Sequence, residues 1–122
     1  MEHSPGFLRL VEMVRGRVRE ASCEVIRQRQ ARSERFLLLD VREDGEWARG
    51  RIAGATHLGK GVIERDIERL VPDHDADIVL YCGGGYRSAL AADALQQMGY
   101  TNVTSMDGGW TRWNALGYPT EA

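Results

Sequence analysis

Cysteine and proline are scarce in this chain: the 122 residues include two cysteines, Cys23 and Cys82, and three prolines. Two thiols cannot form the multi-disulfide framework that staples small secreted domains, and neither a CxxC pair nor a Cys/His spacing marks a zinc site. No metal and no bound cofactor is expected, and a reducing compartment, the cytoplasm, fits best. Long apolar runs are also missing. Arg9, Glu12, Arg15 and Arg17 interrupt the N-terminal apolar residues, which excludes the unbroken core of a secretory signal or a membrane span. Low-complexity tracts and internal repeats are absent as well, so disorder is expected only at the ends.

What remains is an ordinary globular composition, 43% apolar and 28% charged, of the size of one domain. Such a chain buries roughly two-thirds of its unfolded surface and folds around one core. The net charge is −2, with an uneven distribution: residues 1–35 hold eight arginines against five glutamates. Nothing in this balance calls for a nucleic acid or a membrane as partner.

Ser4-Pro5 reads as a helix start, since serine can cap free amides and proline suits the first helical position. Phe7, Leu10, Val11, Val14 and Val18 follow at helical spacing. Ser22 is a second capping candidate, so the helix is expected to break near Ala21-Ser22 and restart through Val25 and Ile26. From residue 36 short apolar runs alternate with helical segments. Strands are expected at 36–39, 52–58, 78–81 and 103–106, and helices at 44–49, 62–71, 88–98 and 110–115. Such alternation implies crossover connections and a mostly parallel sheet covered on both faces. Ligands gather at the carboxyl ends of such strands, where Asp40, Val41, Arg42, Tyr81, Cys82 and Asp107 fall.

The chemistry concentrates in Cys82-Gly83-Gly84-Gly85-Tyr86-Arg87-Ser88, between a buried strand and a helix start. Three glycines let the backbone curl with its amides turned inward. The positive end of the following helix and the Arg87 guanidinium complete a cradle for an anion on the thiol, which favours the thiolate. A cysteine so placed is a nucleophile by environment. The plainer alternative, a small buried cysteine beside a turn, leaves the coincidence of glycine run, cation and helix start unexplained.

Around this loop the motifs Leu39-Asp40-Val41-Arg42-Glu43, Glu46-Trp47, Gly50, Gly54-Ala55, Tyr81-Cys82, Arg87-Ser88 and Gly108-Gly109-Trp110-Thr111-Arg112-Trp113 occur in order. Over about residues 36–119 the chain resembles the rhodanese-like single-domain sulfurtransferases. The resemblance implies an α/β three-layer sandwich, with a largely parallel five-stranded sheet and helices on both faces. To this the chain adds an N-terminal helical extension, residues 1–21, ahead of a rhodanese-like domain, residues 22–122. The six-residue loop from Cys82 to Arg87 has the length the family associates with sulfurtransferases. The related phosphatases and arsenate reductases use one residue more, as a phosphate group needs a wider ring of amides than one sulfur does.

The mechanism so implied has the Cys82 thiolate attack the outer sulfur of thiosulfate or a similar small anionic donor, expel sulfite and become a persulfide. A thiol, cyanide or a protein acceptor then takes that sulfur. Gly83, Gly84, Gly85, Tyr86, Arg87 and Ser88 would bind substrate and stabilise charge, with Arg87 attracting the donor and Ser88 donating its hydroxyl. Two roles are open to Arg42: substrate contact, as the family's first-strand motif suggests, or an ion pair with Asp40, Glu43 or Glu46. Asp40 reads as a supporting acceptor of loop amides. His57 sits in an expected strand and is read as structural, Cys23 as a plain helix residue, and Trp110 and Trp113 as packing for the last helix. Gly108-Gly109 would allow close backbone approach near the loop.

The pattern departs from the family's usual one in two places. Gly50-Arg51-Ile52-Ala53-Gly54 stands where Gly-His-Ile-Pro-Gly is common, and His57 replaces a frequent asparagine. The extension is the larger departure. It could pack on its own domain, form a dimer contact or meet a partner or an anionic surface, and packing back is expected because an amphipathic helix normally buries its stripe in its own protein. A monomer and a homodimer are both compatible with the sequence. Two functions stay open, an enzyme turning over thiosulfate and a carrier module relaying sulfur between proteins, with a phosphatase or arsenate reductase disfavoured by loop length.

Overall fold

The computed structural model describes residues 2–122; Met1, counted in the expected extension, lies outside the described residues. The chain runs through α1 (Pro5–Arg15), β1 (Arg19–Ser22), α2 (Cys23–Ala31), β2 (Leu37–Asp40), α3 (Asp44–Ala48), β3 (Arg51–Ile52) and β4 (Thr56–His57). A 3-10 turn (Lys60–Val62) leads into α4 (Ile63–Leu70), then β5 (Ile78–Tyr81), α5 (Tyr86–Gln97), β6 (Val103–Asp107), α6 (Gly109–Ala115) and β7 (Thr120–Glu121). Five strands form one sheet in the order β1-β6-β5-β2-β4, and every neighbouring pair is parallel. The α/β class with helices on both faces is as the sequence implied.

Side-chain alternation along the strands explains the layers. Ile78 and Leu80 of β5, with Leu39 of β2, face Ile63 and Ile67 of α4 and Ala91, Ala92 and Leu95 of α5. Val79 and Tyr81, with Leu38, face the opposite layer, where Cys23, Ile26 and Trp113 of α2 and α6 pack. All four residues of the central strand β5 are buried, as a doubly covered parallel strand requires.

Three segments differ from the sequence expectation. The first helix ends at Arg15, followed by Gly16, and residues 19–22 are not helix but an edge strand, pairing with Thr104–Asp107 of β6. Glycine weakens the helix locally and the ladder takes over, so Val18 lies outside the helix and the last residues of the expected helical extension belong to the sheet. Ser22 does cap the next helix, its Oγ accepting Val25 N–H at 3.2 Å, whereas Ser4 makes no such side-chain bond. The strand expected over 52–58 splits at Gly54 (φ +84°): β4 joins the main sheet, while β3 pairs antiparallel with β7 in a separate ribbon. Finally, α5 begins at Tyr86, two residues before the expected Ser88, with Gly85 as its left-handed N-cap.

The strand order reverses between β2 and β5: from β2 the chain steps outward to β4, and from β5 it steps the other way to β6. The segments leaving their carboxyl ends therefore diverge and open a crevice between residues 41–46 and the Cys82 loop. The amphipathic helix α1 packs back on α5 through buried Val11 and Val14, as expected for the extension.

Candidate active site

Cys82 is the first residue after β5, and the residue is 1% exposed. Two backbone amides donate to its Sγ, Gly85 N–H at 3.2 Å and Ser88 N–H at 3.3 Å. Both amides lie at the amino end of α5 and turn their partial positive charge toward the sulfur. Among the described residues, the amides of Gly83, Gly84, Tyr86 and Arg87 donate to no protein group.

The loop holds this shape because its carbonyls are tied outward. Trp110 N–H donates to the Cys82 carbonyl at 2.8 Å and Thr111 N–H to the Gly83 carbonyl at 3.0 Å, so the free first-turn amides of α6 take up the loop's oxygens. The close approach needs Gly109: its φ is +53°, and a Cβ there would stand 2.4 Å from the Cys82 carbonyl oxygen. Of the loop's three glycines only Gly85, at φ +103°, has a backbone reserved for glycine. Gly84 is exposed at the mouth of the loop.

Ser88 is fully buried with its Oγ 3.6 Å from Cys82 Sγ, and it shares a hydrogen bond of 2.8 Å with the hydroxyl of Ser105 on β6. Ser105, also fully buried, belongs to the site and was not recognised from sequence; a serine in an expected buried strand was its only signal.

Arg87 is placed at the loop but is not a free cation. Its guanidinium grips Glu46 of α3 in a two-bond pair, 2.7 and 3.0 Å. Glu46 is itself fixed by a capping box, accepting Glu43 N–H at 3.1 Å. The bonds from Arg87 hold the Glu46 carboxyl well below the usual range, at about 2.

Arg42 resolves into the structural alternative. It is 3% exposed, pairs with fully buried Asp40 (Nη2 to Oδ2, 2.8 Å) and donates to the Gly50 carbonyl at 2.6 Å, with its guanidinium 4.8 Å from the Trp110 ring. It does not line the cleft over Cys82 but borders two smaller clefts beside it, one shared with Arg87 and one with Glu46. Asp40 accepts the Arg42 backbone amide at 2.9 Å, the supporting role expected of it. His57 donates Nε2–H to the Arg42 carbonyl at 2.9 Å and stacks on Trp47, apart from the thiol cleft. Burial pushes the Cys23 thiol up to about 11, and it hydrogen-bonds the Gly109 carbonyl at 3.4 Å.

A cleft of about 880 Å³ opens over Cys82. The loop contributes Cys82, Gly84, Tyr86 and Arg87 to it, and the segment after β2 contributes Glu43, Glu46 and Arg49. The rest comes from the N-terminus: Glu2, His3, Ser4 and Phe7. From sequence Phe7 was read only as part of the helical stripe with Leu10, Val11, Val14 and Val18.

The fold is a parallel α/β domain with a thiol seated by backbone amides in a short glycine loop at the switch point of its sheet. The family described as the rhodanese-like domain matches residues 23–116. A sulfurtransferase of Allochromatium vinosum is 36% identical over 105 residues, covering 86% of this chain and 96% of its own. The thiosulfate sulfurtransferase GlpE of Pseudomonas entomophila is 37% identical over 90 residues, 74% of this chain and 80% of its own. Among solved structures, a Rhodopseudomonas palustris protein of unknown function, described as a possible tyrosine phosphatase, superposes with a TM-score of 0.86 at 26% identity, over 99% of this chain and 98% of its own. The chain belongs to the rhodanese-like single-domain sulfurtransferase family.

Proposed function

We propose that the protein moves sulfane sulfur through a persulfide on Cys82. The observation that carries this reading is the pair of amides on Sγ, at 3.2 and 3.3 Å, in a six-residue loop whose other amides donate to no group among the described residues. In the donor step the Cys82 thiolate attacks the outer sulfur of thiosulfate or of a persulfide, and the donor's sulfur–sulfur bond breaks. Sulfite or a thiolate leaves with the electron pair, and the free amides stabilise charge on the new outer sulfur. In the acceptor step a nucleophile takes that sulfur and Cys82 departs as thiolate.

The Arg87–Glu46 pair bears on the choice of donor. A free arginine would draw in the thiosulfate dianion, but here Glu46 cancels its charge at 2.7 Å, which favours donors of lower charge such as persulfides. This keeps a relay between proteins as the second reading. Phosphate-ester chemistry, suggested by the description of the R. palustris protein, is disfavoured by the narrow loop and by an Arg87 bound to a carboxylate. The two free cysteines suit a reducing compartment such as the cytoplasm.

Steady-state turnover with thiosulfate and cyanide, set against single-turnover loading from a cysteine desulfurase, tests the donor. Faster loading from the persulfide donor supports the lower-charge preference, and efficient thiosulfate turnover would contradict it. Hydrolysis of phosphate esters would overturn the sulfur reading.

A further inference from the structure

The N-terminal residues that line the cleft lie outside the family-matched segment 23–116, and the helix they lead into is packed on the domain. Val11 and Val14 bury α1 on α5, Arg17 makes a two-bond pair with Asp93 of α5 (2.7 and 3.1 Å), and Gln96 of α5 donates to the Arg17 carbonyl at 2.8 Å. At the start of the helix, the rings of His3, Phe7 and Tyr86 meet: His3 lies 5.2 Å from Phe7 and 4.9 Å from Tyr86, and Phe7 lies 6.2 Å from Tyr86. Arg15 stands over Tyr86 at 4.9 Å and fixes its orientation. The extension is also part of the superposition with the R. palustris structure, which spans 99% of the chain.

We propose that this N-terminal wall is an acceptor subsite, taking a small organic thiol with an apolar or aromatic body and an ammonium group. The proposal rests on the persulfide reading above. A cleft of about 880 Å³ is far larger than cyanide needs and is of the size that encloses organic ligands. The His3, Phe7 and Tyr86 rings supply a face for an apolar body. Arg87 is paired to Glu46, and Arg15 behind Tyr86 is paired to Glu20 and Asp107; among the described residues that line the cleft the remaining carboxylates of Glu2 and Glu43 then outnumber Arg49, so the cleft prefers an ammonium to a carboxylate. The acceptor's thiolate attacks the outer sulfur of the Cys82 persulfide. The sulfur–sulfur bond breaks, Cys82 leaves as thiolate, and the product is the acceptor's own persulfide, with no net oxidation or reduction.

The test uses sulfur-loaded full chain and two arenethiols of similar shape, para-aminomethylbenzenethiol and para-mercaptobenzoate, with cyanide as a third acceptor. Each rate is normalised to that acceptor's rate with a small-molecule persulfide. The wild-type chain should favour the ammonium thiol over the carboxylate by at least about fivefold. His3→Ala with Phe7→Ala should raise KM for the ammonium thiol more than it lowers kcat, and should cut its kcat/KM relative to cyanide by about tenfold. Phe7→Leu, which keeps the apolar volume, should recover part of that loss. Glu2→Gln with Glu43→Gln should abolish the preference for ammonium. Equal wild-type rates for the two arenethiols, or equal losses for arenethiol and cyanide in the double alanine variant, would overturn the subsite while leaving the persulfide intact. Failure of the wild-type chain to load sulfur at all would overturn both.

Discussion

Two glycines with similar backbone demands but different surroundings separate backbone strain from support of the Cys82 loop. Gly54 has φ +84° and open space where a Cβ would be; Gly109 has φ +53° and would place a Cβ 2.4 Å from the Cys82 carbonyl oxygen and 2.8 Å from that of Gly83. Alanine at position 54 therefore costs only the left-handed backbone, about 1–2 kcal/mol. Alanine at position 109 adds overlap with backbone that cannot rotate away, about 1–3 kcal/mol. It also strains the bonds from Trp110 and Thr111, now 2.8 and 3.0 Å, that tie the loop outward. The total for Gly109→Ala is about 4 kcal/mol. For a chain of this size 1 kcal/mol moves the melting midpoint by about 4 °C, so calorimetry should show a fall of about 4–8 °C for Gly54→Ala and about 15 °C for Gly109→Ala. The rate of sulfur loading should fall only in Gly109→Ala, measured well below its midpoint. Equal destabilisation of the two variants, or wild-type loading by Gly109→Ala, would refute the role given to α6 in shaping the loop.

Other outcomes follow from the ion pairs and the buried hydroxyls. Arg42→Ala strips the partner from fully buried Asp40 and should cost about 3–5 kcal/mol in urea unfolding, with little change in KM for the sulfur donor in the folded fraction. Because the Glu46 carboxyl is lowered to about 2 in the folded chain, its contribution to stability is complete above the ordinary value of 4.5 and is lost as pH falls toward 2. Denaturant midpoints measured across that window should decline less steeply in Glu46→Gln, and an unchanged slope would count against the Arg87 bond. Ser88→Ala leaves the buried Ser105 hydroxyl without its partner and should cost about 1–3 kcal/mol, while adding Ser105→Ala should recover part of the loss in a double-mutant cycle.

Hydrophobic period and glycine position were enough to read the central sheet and the helices flanking it, because β2, β5 and α4 bury faces whose spacing is written directly in the chain. The reading of residues 19–21 as the end of the first helix failed because Arg-Glu-Ala has no strand signature of its own, and its structure comes from pairing with β6. The 52–58 run looked like one strand because its apolar residues hide the turn at Gly54. In the site, the glycine loop that turns amides onto Cys82 was legible since its residues are contiguous. Ser105, the Glu46 clamp on Arg87 and the wall of His3 and Phe7 were not, because each depends on segments brought together across the fold. Arg42 was ambiguous for a related reason: one strand-end arginine can face substrate or a carboxylate two residues away, and only the packed structure selects Asp40.

The most direct test of the central claim is the intact mass of the chain after exposure to a sulfane-sulfur donor, thiosulfate or a persulfide, followed by peptide mapping. The account predicts a gain of one sulfur atom on Cys82, none on Cys23, whose thiol burial pushes up to about 11, and no gain in Cys82→Ser. An unchanged wild-type mass with both donors, or a sulfur that persists in Cys82→Ser, would contradict it.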